Sequence, residues 1–498
     1  MRRVPLLSGS RVVAVPIGDE DIVVQPPAPP AHVADTAAAV RDALRFPLSG
    51  PPLSDLVGAR GRATIVVEPP SLPLPSVPHD PRQEALAAAI DELARNGIAD
   101  DRQLVLVAGG LGRRLGRREL ERLLTPARAR AFRGDVVVHD ASDPGLVAVG
   151  EVDGQELRVS RALVEADAVI TVTAAETILH GGPGALLAAS GAETVRRVAG
   201  ATSLLRSAAS PEWALATSLE EALSARVALY GISLVLDHPR ATGRFRAYPH
   251  DPSSLEHVLR SPFRRLYSLL PGSARRGILQ SLGRTLATTA AYAGPPSVAH
   301  TEALLRGVEL RGARLVEPVD ALVVGTPWLG PHFPREPLNP VTSAAISLGL
   351  ALRLWRDRFP IRPGGTLVFV HSLVRRFAQG SQDPYHAMFA ALAAGDPALL
   401  AEAERTAASE GRALAAYRAG RNCHPLLPYA DWAGCAPALS RLGQVIVAGS
   451  RDAAAARALG FAPTHSLGSA LEMAHGLAGG RACVGVLLAP PYAPLLVG

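Results

Sequence analysis

The stretch ELRVSRALVEADAVITVTAAE, residues 156–176, decides the fold class. Its apolar residues predict a strand, a short helix and a second strand in close succession. The same alternation precedes it, with strands predicted at 62–68, 103–110 and 135–141 and a helix at 82–98. Because parallel strands need a crossover connection, strands that alternate with helices indicate a parallel sheet covered on both faces. We therefore predict a doubly wound α/β domain.

The second half of the chain repeats this order. Strands are predicted at 320–327, 364–372 and 444–450, and the helix NPVTSAAISLGLALRLWRDRF follows the first of them. Residues 200–295 differ, because much of their apolar pattern is helical, which is typical of a linker or a cap. We predict two doubly wound α/β domains that face a central cleft, 1–295 and 296–498, with 200–295 as a divergent helical linker or cap.

The composition is that of a folded protein with an unusual set of basic side chains. Hydrophobic residues make up 48% of the 498 and charged residues 19%, which supports a buried core and argues against disorder. The net charge is +6, yet the sequence contains no lysine. A lysine Schiff base, a lysine general base and a lysine-tethered cofactor are therefore excluded. The arginine clusters are short and lack interleaved aromatics, so we expect no nucleic-acid partner.

The cysteines and the apolar runs bear on location. Three cysteines are too few for a disulfide framework and fit a reducing compartment. Cys423, His424 and Cys435 lie in one loop, but a zinc site needs four ligands at short spacing, so we predict no metal site. The N-terminus lacks the apolar core of a signal peptide, and every long apolar run is broken by charge or proline. We expect a cytoplasmic protein with no membrane partner.

One candidate binding loop is VAGGLGRRLGRREL, residues 107–120. Gly109 and Gly110 follow a predicted strand and precede a helix, and Arg113 lies beside them. Backbone N–H groups at such a turn, together with a guanidinium, suit an anion. The alternative is a tight turn with a solvated basic face.

A second candidate is ILHGGPGALLAASGAE, residues 178–193, in which His180 precedes Gly181 and Gly182. It lacks the lysine of a phosphate-binding Walker loop. A single histidine is more often structural than a ligand, so both interpretations of His180 stay open.

A third candidate is HFPREPLN, residues 332–339, which combines His332, Arg335 and Asn339 just after a predicted strand. Loops at the carboxyl ends of parallel strands are where α/β sheets hold ligands. A plain connecting loop is the alternative.

Several stretches together resemble the nickel-dependent lactate racemases, a family built on the lactate racemase N-terminal domain. ALRFPLSGPPLSDLVGARGRATIVVEPPSLPLPSVP resembles the opening of that family, and VAGGLGRRLGRREL resembles its strand followed by Gly-Thr-His-Arg. VVVHDASDPGLVAVGEVDGQELRVSRALVEADAVITV fits the family pattern without long gaps. PVDALVVGTPWLGPHFPREPLN resembles its strand followed by Tyr-Pro-Lys-Asp-x-Asn. The likeness covers residues 37–200 and 295–372.

The resemblance implies two α/β domains around a cleft and a specific chemistry. Active members hold a nickel-pincer nucleotide through a lysine, a histidine completes the nickel coordination, and two further histidines act as acid and base on a 2-hydroxy acid. Matched by position, the tethering lysine falls at Gly184 and the first catalytic histidine at Gly112. Ser71 keeps the frame of the first loop, Glu176 keeps the acid before the second histidine, and His180 could replace that histidine.

We predict a lactate racemase-like protein that is divergent or catalytically degenerate and binds a small anionic or nucleotide-like ligand in the cleft, with a 2-hydroxy acid as the expected substrate class. Two alternatives stay open: an active isomerase that holds the nickel-pincer nucleotide non-covalently, and a scaffold or partner of an active racemase or of its maturation enzymes. No residue is predicted to bind a metal directly. His180 and His332 are predicted as catalytic, and the ligand-binding residues as Ser71, Gly109, Gly110, Arg113, Glu176, Gly181, Gly182, Arg335 and Asn339.

Overall fold

The computed structural model describes residues 2–58, 61–75, 77–208, 210–479 and 482–498, which form two six-stranded sheets and four smaller ones. The strands are β1 Arg2–Ser8, β2 Arg11–Ile17, β3 Ile22–Val24, β4 Ala63–Val67, β5 Gln103–Val107, β6 Asp135–Val138, β7 Val147–Val152, β8 Gln155–Val159, β9 Ala168–Ala174, β10 Ala228–Leu236, β11 Arg240–Ala241, β12 Arg284–Thr285, β13 Thr288–Gly294, β14 Ala313–Leu315, β15 Val319–Gly325, β16 Trp355–Asp357, β17 Ile361–Val370, β18 Gln444–Ala448, β19 Ala462–Thr464, β20 Val484–Leu487 and β21 Leu495–Val497.

The α-helices are α1 Thr36–Arg45, α2 Leu53–Leu56, α3 Pro81–Arg95, α4 Arg117–Leu120, α5 Pro126–Ala131, α6 Gly184–Ala188, α7 Ala192–Arg197, α8 Pro211–Ser224, α9 Pro252–Arg260, α10 Pro262–Leu269, α11 Gly272–Ser281, α12 Pro296–Arg311, α13 Pro340–Ala344, α14 Asp383–Ala393, α15 Pro397–Ser409, α16 Gly411–Arg418, α17 Leu427–Ala433, α18 Ala436–Leu439, α19 Ala453–Ala458 and α20 Leu467–Ala478. Helix α13 continues as a π-helix over Ala345–Leu350. Single 3-10 turns lie at Asp100–Arg102, Arg161–Leu163 and Gly243–Phe245.

The first large sheet has the order β6-β5-β4-β9-β10-β13, and all its strands are parallel except β13. Strands β4 and β9 are buried at every position, as expected for apolar, β-branched runs at the centre of a parallel sheet. One apolar core joins the sheet to α3, and a second core on the opposite face joins it to α6 and α8. The predicted doubly wound arrangement is therefore confirmed for this sheet.

The second large sheet has the order β19-β18-β17-β15-β20-β3, with every pair parallel. One face packs on α13, α14 and α17, and the other on α20 and the β1–β2 hairpin. In each sheet the strand order reverses at one place, between β4 and β9 in the first and between β15 and β20 in the second. Such reversal points are where ligands bind in α/β sheets.

Two segments cross the boundary that the sequence predicts near residue 295. Strand β3 pairs with β20 of the second sheet, and the β1–β2 hairpin packs on the same sheet, although both lie at the start of the chain. Helix α12 packs on β10 and β13 of the first sheet, although it follows the predicted boundary. A strand joins whichever sheet edge offers hydrogen-bond partners, so sequence order alone does not assign it.

Residues 200–295 divide into two parts. Helix α8 and strands β10 and β13 complete the first sheet, whereas α9 and α10 lie against the β1–β2 hairpin, with α11 following them. The helices of this region that lie apart from the first sheet are α9 to α11, and a linker or cap role for them stays a prediction. Within the described ranges, no helix has both the length and the apolar character needed to cross a bilayer.

Candidate functional site

The candidate site begins where β4 and β9 end, at the reversal point of the first sheet. Glu68 directly follows β4, and residues 175–183, here called the β9 loop, follow β9. The β9 loop contains Glu176 and His180, two of the residues predicted from the sequence. Side chains that follow neighbouring parallel strands meet at one sheet edge, which brings these groups together.

His180 is held by Glu68. The Nδ1 atom of His180 lies 3.5 Å from Oε1 of Glu68, and Oε2 of Glu68 accepts the Gly181 N–H at 2.6 Å. The side chain of His180 is 45% exposed and that of Glu68 only 10%. Burial lowers the pKa of His180, but the hydrogen bond and charge of Glu68 and the charge of Glu176 outweigh it, so the pKa is raised above its ordinary value. The imidazole therefore keeps its proton to higher pH than a free histidine.

The second acid of the site, Glu176, is buried and held from two sides. Ser71 Oγ donates to Glu176 Oε2 at 2.8 Å, and Nη1 of Arg82 lies 3.7 Å from Oε1. Arg82 is itself fixed by Asp80, with Nε donating to Oδ1 at 2.9 Å and Nη2 donating to Oδ2 at 2.7 Å. The structure thus joins Ser71 and Glu176, both predicted as ligand-binding, by a direct hydrogen bond.

The glycines of the β9 loop are needed because another side chain lies against them. Gly181 and Gly182 have φ angles of +92° and +53°, and a Cβ on Gly182 would lie 2.3 Å from Cβ of His300. Their N–H groups already donate inside the protein, to Glu68 and to Thr173 Oγ1. The loop is therefore shaped to admit His300, and a role of these N–H groups in ligand binding stays a prediction.

His300 supports the β9 loop from α12. It is fully buried and stacks on Trp213, with ring centroids 5.9 Å apart. Its Nε2 donates to the Thr177 carbonyl at 2.9 Å, which fixes the tautomer. The pKa of His300 is lowered to about 4, mainly by burial. The hydrogen bond to the Thr177 carbonyl raises this pKa, and the charge of the nearby His180 lowers it. No local pattern around His300 predicts this role, because the contact joins residues far apart in the chain.

The second sheet contributes His332, from residues 326–339 after β15, here called the β15 loop. A Cβ on Gly112 would lie 3.1 Å from Nδ1 of His332, so the imidazole packs against the turn after β5 of the first sheet. Burial lowers the pKa of His332 to about 4, and the charges of His180 and Arg113 lower it further. The two histidines predicted as catalytic thus come from different sheets, interact electrostatically and have pKa shifts of opposite sign.

The two arginines predicted to bind an anion face the same carboxylate. Arg113 Nη2 forms a short ion pair with Glu119. Burial raises the pKa of Glu119, but the hydrogen bonds from Arg113 and the Gly116 N–H, and the charges of Arg113 and Arg335, lower it below its ordinary value overall. Arg335 is exposed, whereas Arg113 is largely occupied by Glu119. Arg335 is therefore the better placed of the two for an incoming anion.

The remaining predicted residues have structural contacts. Asn339 is fully buried and caps α13, since its Oδ1 accepts the Thr342 N–H at 2.9 Å, and its Nδ2 has no hydrogen-bond partner. The Gly110 N–H donates to the Ala188 carbonyl at 3.1 Å, and the Gly109 carbonyl accepts the Gly112 N–H at 2.9 Å. These contacts explain the residue types without a ligand, so the ligand-binding role stays a prediction.

The segment from Cys423 to Cys435, which contains α17, joins the two halves of the chain through His424. All three side chains are buried, His424 Nε2 lies 2.7 Å from Ser142 Oγ, and the His424 N–H donates to the Leu111 carbonyl at 2.9 Å. In the parts of the chain that the structure describes, no group of three or more His, Cys, Asp or Glu side chains is arranged to hold a metal ion.

Comparison with known proteins places this fold. The family profile of the lactate racemase N-terminal domain matches residues 8–182. The lactate racemase apoprotein from Thermoanaerobacterium thermosaccharolyticum is similar over 100% of both chains, at 14% sequence identity and a TM-score of 0.63. A structural-genomics protein from Thermotoga maritima is similar at 13% identity over 87% of this chain and 93% of its own, with a TM-score of 0.48. Comparison with curated proteins gives no match.

The structure is thus a lactate racemase-like α/β fold. The predicted resemblance is confirmed: residues 8–182 match the profile of the lactate racemase N-terminal domain, and the whole chain is similar in fold to a lactate racemase apoprotein.

The nickel-pincer nucleotide that the resemblance implies does not fit these residues as a covalently held group. Gly184, at the position of the tethering lysine, begins α6, and a Cβ there would lie 2.7 Å from the Leu179 carbonyl oxygen. Backbone rather than a flexible side chain occupies that space. The sequence also contains no lysine that could serve from another position.

Proposed function

We propose that this chain is a divergent lactate racemase-like protein that binds a small hydroxy-carboxylate in a cleft between the two sheets, without the lysine-tethered cofactor. Two observations carry the proposal. His180 follows β9 at the reversal point of the first sheet, and His332 of the second sheet packs against the turn after β5 of the first, where burial lowers its pKa and the charge of His180 is near enough to lower it further. A ligand that contacts both histidines bridges the two halves of the chain.

The charges of the site orient such a ligand. Glu68 and Glu176 lie on the His180 side, where they already pair with His180 and Arg82, so neither of these cations is free for an incoming anion. A hydroxyl group suits this side, because it donates and accepts hydrogen bonds. Arg335 is exposed on the His332 side and can form a charge-assisted hydrogen bond with a carboxylate. A 2-hydroxy acid therefore binds with its hydroxyl towards His180 and its carboxylate towards Arg335.

Calorimetric titration of the full chain with lactate tests the proposal. Propionate, which lacks the hydroxyl, and propane-1,2-diol, which lacks the carboxylate, serve as matched ligands. We expect lactate to bind more tightly than either. Arg335→Gln should weaken lactate binding about tenfold or more, since a charge-assisted hydrogen bond is lost, whereas Arg412→Gln, an exposed arginine on α16, should leave it unchanged. Equal binding of the diol and lactate, or no binding of lactate, would overturn the proposal.

A second candidate function is proton transfer, favoured by the opposite pKa shifts of the two histidines. At neutral pH the raised pKa of His180 favours the proton donor form, and the pKa of His332, about 4, keeps it a neutral acceptor. His332 would take a proton from the α-carbon of a bound acid, and His180 would return one to the other face.

Incubation of the chain with a 2-hydroxy acid in D2O tests this second candidate. Incorporation of deuterium at the α-carbon that is lost in both His180→Gln and His332→Gln supports proton transfer, and no incorporation excludes it. Nickel is measured in parallel, in protein produced beside the enzymes that synthesise the pincer cofactor. Stoichiometric nickel would overturn the degenerate interpretation and favour the alternative, an isomerase that holds the pincer cofactor non-covalently.

A further inference from the structure

The segment from β11 to β12, residues 240–284, carries the positive charge of the chain. It contains nine arginines and two acidic residues, a net charge of +7, whereas the whole chain has +6. The rest of the chain is therefore at −1. Both acidic residues are already engaged: Glu256 pairs with Arg260 at 2.6 Å, and Asp251 accepts hydrogen bonds from Ser253 at the start of α9. Arg240 pairs with Asp237 outside the segment and Arg275 is buried, so the surface of this segment carries an excess of positive charge.

The same segment exposes large apolar side chains. On α10, Phe263 is 66% exposed, Leu266 63% and Leu269 81%. In the described part of the chain, 16 large hydrophobic side chains are exposed, and five of them lie in this segment: Phe245, Phe263, Leu266, Leu269 and Ile278. Single exposed apolar residues are common, but a cluster marks an interaction surface.

A side of α10 next to the exposed apolar residues is fixed to the body of the protein. Tyr267 Oη donates to the Ser10 carbonyl, in the turn of the β1–β2 hairpin, at 2.9 Å. Arg275 on α11 is buried and its Nη1 donates to the Leu270 carbonyl at 2.6 Å, which holds the connection between α10 and α11. The exposed face is therefore presented by an anchored helix and not by a free end.

We propose that α9, α10 and α11 form a peripheral docking surface for an anionic lipid bilayer. A bilayer with acidic headgroups offers one sign of charge above an apolar layer, which matches arginines around Phe263, Leu266 and Leu269. A protein partner normally presents charges of both signs to a polar rim, whereas this segment offers nine arginines against two acidic residues. The expectation of no membrane partner rested on the lack of an apolar run long enough to span a bilayer. A helix that lies in the bilayer interface does not need such a run.

Vesicle sedimentation of the full chain tests this surface. We expect binding to vesicles of equal parts phosphatidylcholine and phosphatidylglycerol, no binding to phosphatidylcholine alone, and loss of binding as salt is raised. Equal binding to both vesicles, or binding to neither, would refute the proposal.

A triple variant separates the bilayer from other partners. Phe263→Ser, Leu266→Ser and Leu269→Ser together should reduce the vesicle-bound fraction about tenfold or more, because three apolar side chains no longer enter the bilayer. The control replaces Leu399 and Leu477 by serine, since these are 52% and 58% exposed on α15 and α20, and should bind as the unaltered chain does. If the triple variant instead turns a dimer into a monomer in light scattering and leaves vesicle binding intact, the surface joins two copies and the bilayer proposal is wrong. Circular dichroism confirms that each variant is folded.

Discussion

The β9 loop and the β15 loop each contribute a histidine to the candidate site, yet they are held in different ways. The β9 loop is fixed by packing: His300 lies against its two glycines, and a partly buried hydrogen bond joins Glu176 to Ser71. The β15 loop is half-exposed along much of its length, and Asn339 fixes its end by capping α13. The same position in an α/β sheet can therefore be built either as part of the core or as a tethered surface loop.

The largest expected difference in stability comes from adding one methyl group to a loop that follows a strand, once in each large sheet. Gly182→Ala places Cβ 2.3 Å from His300 Cβ at a φ of +53°, and we expect a loss of about 3 kcal/mol or more from overpacking and the left-handed backbone. Gly449→Ala, after β18 of the second sheet, has a φ of +82° and nothing within 4 Å, so only the backbone penalty of about 1–2 kcal/mol applies. Urea unfolding measures the loss of stability in both variants. Equal losses would show that His300 moves to accommodate the added methyl group.

Acid should act on the β9 loop through His300. The pKa of His300 is about 4, below the ordinary value of 6.5, so the unfolded chain takes up a proton that the folded chain does not. The free energy of unfolding is not reduced by this group above a pH of about 6.5. It falls as the pH drops towards 4, by about 3 kcal/mol for a fully buried imidazole. His180 acts in the opposite sense: its raised pKa gives stability at low pH that is lost as pH rises, a small effect for a side chain that is 45% exposed.

His300→Gln isolates this contribution, because glutamine keeps an N–H donor for the Thr177 carbonyl but does not titrate. The free energy of unfolding is measured from pH 7 to 4.5. Its slope against pH should be smaller in the variant, by the amount that corresponds to the uptake of about one proton on unfolding. An unchanged slope would mean that His300 is protonated in the folded chain.

The sequence predicts the parts of this comparison that are local. Strands β4 and β9 follow from their continuous apolar runs, and His180 and His332 follow from their position after such strands. Sequence patterns do not predict four further residues of the site, because their contacts join segments that are far apart in the chain or face a turn with no motif. These residues are Glu68, Arg82, Glu119 and His300. Even so, an acid directly after a buried strand was a usable signal, and the reversal point of the sheet would have drawn attention to Glu68.

Smaller effects should follow from removing one hydrogen bond in each loop. Asn339→Ala leaves the N-terminus of α13 without a side-chain cap in a fully buried setting and should cost about 1–2 kcal/mol. Ser71→Ala leaves Glu176 with Arg82 nearby and should cost about 1 kcal/mol. Asn339→Ser, which retains a capping oxygen, should recover much of the loss. Thermal unfolding ranks the stability of the three variants. A larger loss of stability in Ser71→Ala than in Asn339→Ala would show that the β9 loop, and not the β15 loop, depends on a single hydrogen bond.

The smallest effect separates the electrostatics of the two histidines. Glu68→Gln removes the carboxylate that does most to raise the pKa of His180, so this pKa should fall towards its ordinary value or below, because burial then acts with less opposition. Glu336→Gln is the matched change in the β15 loop: Glu336 is bound to Ser381 and is not among the groups that shift the pKa of His332. NMR titration of the imidazole carbons should therefore show a shift at His180 for the first variant and none at either histidine for the second. If Glu336→Gln moved His332 as far as Glu68→Gln moves His180, the β15 loop would hold a carboxylate–histidine pair of its own, and the two loops would be alike in their electrostatics despite their different packing.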